Sequence, residues 1–284
     1  MSSTRFLRPL ALAAAMAISL TACVSTTQQG ATGINRSQFM LLSSAEANSA
    51  ALQSYRAELT KARGASALNT DRANLERIRR IADRLIPQAT VFRPDALSWQ
   101  WEVNLQTKDE LNAYCASGGK IMFFTGIINK LKLSDDEIAA IMGHEMAHAL
   151  REHGRERMSQ SAAQQMGMNV LAIATGMSAG SAQLMQTAAQ LALTLPHSRG
   201  QESEADIMGL ELLARAGYNP NAAVSLWQKM GQAGAGNGPS FLSTHPSGPQ
   251  RIQGLQAAIP KVMPLYNQAL RNPPAVRQIV PRTS

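Results

Sequence analysis

Apolar residues recur at helical spacing between positions 38 and 62 (Leu41, Leu42, Ala45, Leu52, Tyr55, Leu59), which predicts a first amphipathic helix. A second is predicted for 71–86, where Leu75, Ile78, Ile81 and Leu85 share one face and Pro87 ends the run. The period then changes. Leu97, Trp99, Trp101, Val103 and Leu105 alternate with polar residues, the signature of a half-buried strand. Two shorter strands, 111–116 and 120–124, are joined around Ser117, Gly118 and Gly119, a hairpin-like turn. Ser134-Asp135-Asp136-Glu137 then has capping-box spacing with acidic residues in the first turn, and opens a helix expected from 138 to about 152.

Downstream, 161–195 is rich in Ala, Met, Gln and Gly. Gln164, Gln165, Asn169, Ser178, Gln183 and Gln186 interrupt its apolar runs, which argues against a transmembrane span and for two packed helices or a lid. Further helices are expected at 199–216, from Asn219-Pro220 to about 232, and at about 250–258, with a Gly-rich loop at 233–239. The pattern predicts an α+β, mostly helical protein whose small β-sheet precedes the 138–152 helix. Its expected organisation is a leader (1–22), a flexible tether rich in Ser, Thr, Gln and Gly (23–37), one domain (38–260) and a Pro-rich tail (261–284).

Composition refines this picture. An apolar content of 45% with only 5% aromatics suits a helical globular domain. The formal charge of +8 raises nucleic acid as a partner, but Lys61, Arg63, Arg72, Arg77, Arg79 and Arg80 are scattered and lack interleaved aromatics. Arg77, Arg79 and Arg80 sit beside Glu76 and Asp83, as on a solvated helix face. No nucleic acid is expected; a basic exported protein facing an anionic membrane or wall is the simpler account.

The leader has Arg5 and Arg8 ahead of a short apolar run at 9–20, too short to span a bilayer stably. Leu20-Thr21-Ala22-Cys23 resembles the bacterial lipobox, which implies cleavage before Cys23 and acylation of that cysteine; two or more acyl chains suffice for stable anchoring. Val24 after the cysteine is similar to lipoproteins retained in the outer membrane, facing the periplasm. With Cys23 acylated, Cys115 has no disulfide partner and is expected to be buried.

The chemistry concentrates on the 138–152 helix. His144 and His148 are four residues apart, so both imidazoles project from one face and reach one metal ion. Glu145 lies beside that pair, where a carboxylate takes a proton from a metal-activated water without binding the ion. A catalytic zinc site needs a third protein ligand and an open position. Glu202-Ser203-Glu204-Ala205-Asp206 supplies candidates: Glu202 as ligand, with Asp206 one turn on to hydrogen-bond a ligating histidine, and Glu204 as the competing choice of ligand.

HExxH followed by ExxxD on a later helix resembles the gluzincins. Ser198-Arg199-Gly200-Gln201-Glu202-Ser203-Glu204-Ala205-Asp206 is similar to the SRxxExEAD signature of the HtpX/BepA/LoiP-type zinc metallopeptidase family. Asn112-Ala113-Tyr114 with Gly118-Gly119-Lys120-Ile121 looks like that family's strand pair, and His153 and Arg157 match its extended motif. Ala116-Ser117 departs from it where many relatives carry a proline. The layout is most similar to the family's lipoprotein members. The resemblance implies a zincin-like domain with one zinc ion held by His144, His148 and Glu202, Glu145 as base, and Asp206 as orienting group or proton donor. From Ser243-Thr244-His245-Pro246 it also implies His245 as a candidate fourth ligand, and from His153 and Arg157 support for the site. His197 receives no role beyond packing or exposure. The implied activity is hydrolysis of unfolded or misassembled envelope proteins, bound by strand addition to 120–124, with other envelope proteases as possible associates. A chaperone or assembly factor with a structural zinc is the rival class, and Glu145 discriminates, because a structural site needs no adjacent base.

Overall fold

The computed structural model describes residues 23–174, 197–233, 240–245, 248–276 and 278–281. In chain order the elements are β1 (Cys23–Val24), β2 (Gln38–Phe39), α1 (Ser44–Gly64), α2 (Arg72–Leu85), two 3₁₀ turns (Ile86–Val91 and Pro94–Ser98), β3 (Glu102–Gln106), β4 (Ala113–Ala116), β5 (Lys120–Phe124), α3 (Thr125–Lys130), α4 (Asp135–Leu150), α5 (His153–Ala174), α6 (Arg199–Arg215), α7 (Ala222–Ala233), α8 (Ser240–Thr244) and α9 (Pro249–Arg271). The result is mostly helical with one small mixed sheet. Among the described residues no helix is long and apolar enough to cross a membrane.

Reciprocal capping starts three of the long helices. Ser43 with Glu46 opens α1, Ser134 with Glu137 opens α4, and Ser198 with Gln201 opens α6, each pair satisfying two amide donors that the first helical turn would leave unpaired. Helix α4 is buried on all sides from Glu137 to Leu150, so it forms the axis of the core rather than a surface element. It packs against α6, α7, α2 and β4. Gly143 of α4 meets Gly209 of α6 at a close crossing. A Cβ on Gly209 would lie 3.0 Å from the His144 amide nitrogen, so only hydrogen at this position lets the two backbones meet.

The sheet order is β3-β5-β4, with β3 parallel and β4 antiparallel to β5. All five residues of β5 are buried, as a central strand requires. This corrects the expectation that 120–124 accepts an added strand: both edges of β5 are already paired, and the edge beside α4 is β4.

Several boundaries differ from the sequence reading. The strand expected from Leu97 starts only at Glu102, because Pro94 opens a 3₁₀ turn that holds Leu97. The first helix starts at Ser44, after β2. The segment expected as a flexible tether is instead a folded arm. Its ends pair as β1 and β2, and the buried Glu211 carboxylate accepts the Ala31 and Thr32 amides at 3.0 Å each. Gly30 (φ +62°) passes so close to Phe92 that a side chain there would overlap the ring. The helix expected to end near 258 continues as α9 to Arg271 through Pro260 and Pro264. Both prolines lie on the exposed face, while Ile259, Val262 and Ala269 are buried on the other. The expected tail also returns to the core: Val280 is buried, and the Ile279 and Val280 amides donate to Asp83. Of the 161–195 stretch, 161–174 continue α5; the rest, the leader and the loop at 234–239 lie outside the described residues.

Candidate metal centre

Helical periodicity and the Gly143–Gly209 crossing build this site together. His144 and His148 sit one turn apart on α4, with their Nε2 atoms 3.1 Å apart. Because α6 approaches so closely, Glu202 reaches the same point: its Oε1 is 3.3 Å from His148 Nε2 and its Oε2 3.5 Å from His144 Nε2. His245, just after α8, brings Nδ1 to 3.2 Å from His144 Nε2 and 3.0 Å from Glu202 Oε1. All four side chains are buried.

These separations bear on whether a metal fits. A tetrahedral zinc with nitrogen and oxygen ligands at about 2.0–2.1 Å separates its donors by roughly 3.3 Å. The spacings of 3.0 to 3.5 Å fall around that value. Glu145 completes the picture. It is buried on α4, its Oε1 has no hydrogen-bond partner, and His245 Nε2 lies 3.4 Å away. An orphaned carboxylate oxygen facing a cluster of imidazoles suits a group that receives a proton from something held between them. The donor set fits a tetrahedral ion.

Electrostatics follow from burial and pairing. Burial pushes the Glu145 carboxyl above its ordinary value, partly offset by the nearby His245 and His144. Burial acts the same way on Glu202, but hydrogen bonds from His144, His148 and His245 outweigh it and hold Glu202 well below the usual carboxylate range. Burial and Arg251 lower His144, yet Asp206 and Glu202 prevail and carry it up to about 9. His148 goes well below its ordinary value, chiefly through burial.

Asp206 lies behind the cluster, with Oδ1 3.0 Å from His144 Nδ1. Its two oxygens also accept from Arg251, at 2.7 and 2.8 Å. That engagement makes it a group that orients His144. Arg251 also reaches Glu202 Oε2 at 2.6 Å, and its guanidinium lies 3.4 Å over the Trp227 ring. It thus braces Glu202 and Asp206 together. Glu204, the competing ligand candidate, points elsewhere: its Oε2 is 3.0 Å from His153 Nε2. His153 in turn places Nδ1 2.9 Å from His148 Nδ1. Arg157 donates to His197, whose ring centroid is 3.8 Å from that of His148, nearer the centre than packing or exposure implied.

A cavity of about 520 Å³ opens onto the cluster. Glu145, His148, His197 and His245 line its floor, Asn112 to Ser117 of the β4 edge one wall, and small residues of α1, including Ala47, Ala51, Ser54 and Ala57, the opposite side. Cys115 is free and buried on that wall; burial raises its thiol well above the ordinary value, so it is a poor nucleophile.

With this geometry in place, similarity to known proteins becomes informative. The family description Peptidase family M48 matches residues 72–259, from the start of α2 into α9. The chain is similar to mitochondrial metalloendopeptidase OMA1 of Arabidopsis thaliana, 38% identical over 161 residues that cover 56% of this chain and 31% of that protein. It is also similar to the metalloprotease YcaL of Escherichia coli, 22% identical over 265 residues (91% of this chain, 98% of YcaL). With LoiP of the same organism it shares 25% identity over 152 residues (52% and 58%). Against the mitochondrial proteins of the plant and two yeasts the chain spans only 31% to 51% of their length.

Proposed function

Because the chain belongs to peptidase family M48, we propose that it is a zinc-dependent endopeptidase of the bacterial envelope, anchored through acylated Cys23 to the outer membrane and facing the periplasm. The observation that carries the activity is the convergence of His144, His148 and Glu202 at ion-sized separations with Glu145 beside them. The lipobox-like run before Cys23 and the similarity to YcaL along nearly its whole length support the bacterial setting.

His144 Nε2, His148 Nε2 and a Glu202 oxygen would hold the ion, and Asp206 fixes the His144 tautomer. When bound, zinc lowers the pKa of a water and polarises the scissile carbonyl. Glu145 accepts the proton of the attacking water and delivers it to the departing amine nitrogen. His245 stands where a fourth ligand would, with Nδ1 3.2 Å from His144 Nε2 and Nε2 3.4 Å from Glu145 Oε1; from there it would either complete the donor set or hydrogen-bond the developing oxyanion. The β4 edge, rather than β5, takes extended substrate as an added strand. A cavity of about 520 Å³ between β4 and α1 has room for a few side chains and excludes a folded domain. The substrates are therefore unfolded or misassembled envelope proteins.

Purified, zinc-loaded wild type and Glu145→Gln are compared on unfolded casein. The variant should keep its zinc and lose about 10²- to 10⁴-fold in rate; equal cleavage by both would refute the mechanism. Cys23→Ser should move the protein from the membrane to the soluble fraction, and unchanged partitioning would refute the anchor.

A further inference from the structure

We infer that Glu204 and His153 form a relay that orients His148, and that Arg36, from the arm between β1 and β2, holds the relay in place. The inference deepens the metal-site reading above and rests on it.

Hydrogen-bond direction carries the argument. If His148 presents the Nε2 lone pair to an ion, its Nδ1 bears hydrogen. That Nδ1 is 2.9 Å from His153 Nδ1, which must then accept. His153 Nε2 consequently bears hydrogen, and 3.0 Å away stands Glu204 Oε2, an acceptor. Only this assignment gives every nitrogen a partner of the right kind. His148 is thereby fixed as His144 is by Asp206, with one extra imidazole between carboxylate and ligand. His153 is fully buried and can find that partner only within the protein.

The same three rings, His148, His153 and His197, could be read as a second metal site. The donors oppose it. Arg157 donates to His197 Nδ1, which occupies that ring's lone pair in its neutral form and sets a positive charge alongside. His148 would have to bind two ions at once. The relay satisfies the same atoms without either cost.

What holds Glu204 is unusual in origin. Its Oε1 accepts from Arg36 Nε at 2.7 Å, and Arg36 Nη1 and Nη2 reach Glu156 at 2.6 and 2.9 Å. The fully buried Arg151 donates to Glu204 Oε2 at 3.2 and 3.3 Å and to the Arg36 carbonyl at 2.9 Å. Two guanidinium groups and two carboxylates thus balance in charge. Arg36 lies outside residues 72–259, over which the family match runs. The arm is therefore a working part of the centre, as well as the connection to Cys23.

The test is zinc affinity of the full-length protein in detergent, measured by competition with a chelator, together with the visible spectrum of the cobalt-substituted protein. Glu204→Ala and His153→Phe should bind zinc about 10- to 100-fold more weakly and alter the cobalt bands. Glu204→Gln should recover only part of the affinity, because its amide oxygen still accepts from His153 while its amide nitrogen cannot accept from Arg36. Arg36→Gln, at a side chain 40% exposed, folds irrespective of the buried variants and should lose about 10-fold. Glu211→Gln frees the arm at Ala31 and Thr32 but leaves the Arg36 contacts in place, and should lose less affinity than Arg36→Gln. Wild-type affinity in Arg36→Gln, or an equal loss in Glu211→Gln, overturns the relay. A wild type that binds no zinc overturns the metal-site reading itself.

Discussion

Replacing Gly209 by alanine tests the helix crossing on which the site depends. On an open helix surface, Gly→Ala stabilises by about 1 kcal/mol through backbone entropy. At Gly209 the added Cβ would meet the His144 amide nitrogen at 3.0 Å and Gly143 C and His144 Cα at 3.1 Å, all backbone atoms that cannot turn aside. Carbon contacts relax at about 3.5–4.0 Å, so α4 and α6 must part by roughly half an ångström. Overpacking of this kind costs about 1–3 kcal/mol and reverses the propensity gain, leaving a net loss of about 1 kcal/mol. Gly254, exposed in α9 with nothing near its would-be Cβ, supplies the control and should gain about 1 kcal/mol. In thermal unfolding the two variants should then differ by about 4–8 °C. Metal binding gives an independent reading. His144 and His148 are on one helix and Glu202 on the other, and ligand distances tolerate only about 0.2 Å of error. Gly209→Ala should therefore weaken zinc binding, whereas Gly254→Ala should not. A Gly209→Ala protein as stabilised as the control, with unchanged zinc affinity, would refute the reasoning.

Two further outcomes follow from buried charge. Arg251→Met keeps an apolar stem over Trp227 but strands Glu202 and Asp206, and should cost about 3–5 kcal/mol in denaturant unfolding without zinc. The loss should be smaller with zinc, which neutralises Glu202; an equal loss in both conditions would contradict the brace. Burial raises the Glu152 carboxyl, yet its Arg155 and Arg93 partners bring it below the ordinary 4.5. The unfolded chain therefore takes up this proton at higher pH than the folded chain. The pairing contributes fully above about 4.5 and is lost as pH falls through the lower folded value. Urea midpoints of wild type should fall more steeply between about pH 5 and 3 than those of Glu152→Gln, and parallel curves would refute the pairing.

What the sequence determined by itself was local. The positions of His144, Glu145 and His148 follow from helical geometry within one turn, and Ser134 and Ser198 mark the starts of α4 and α6 through contacts three residues long. The Glu202–Asp206 spacing works in the same way, and the alternation around β3 marked the sheet. Only the tertiary structure decided how distant pieces meet. Glu204 stood as the competing candidate to Glu202 until the fold aimed Glu202 at His144 and His148 and Glu204 at His153. The 23–37 arm carries the composition of a free linker, yet it is held by Glu204, Glu156 and Glu211 from far along the chain. Pro260 and Pro264 are helix breakers by propensity, overruled by the apolar face they leave intact. Backbone periodicity acts over a few residues and is written in spacing. Charge pairing and strand order depend on which surfaces the folded core brings together, and no local pattern records that.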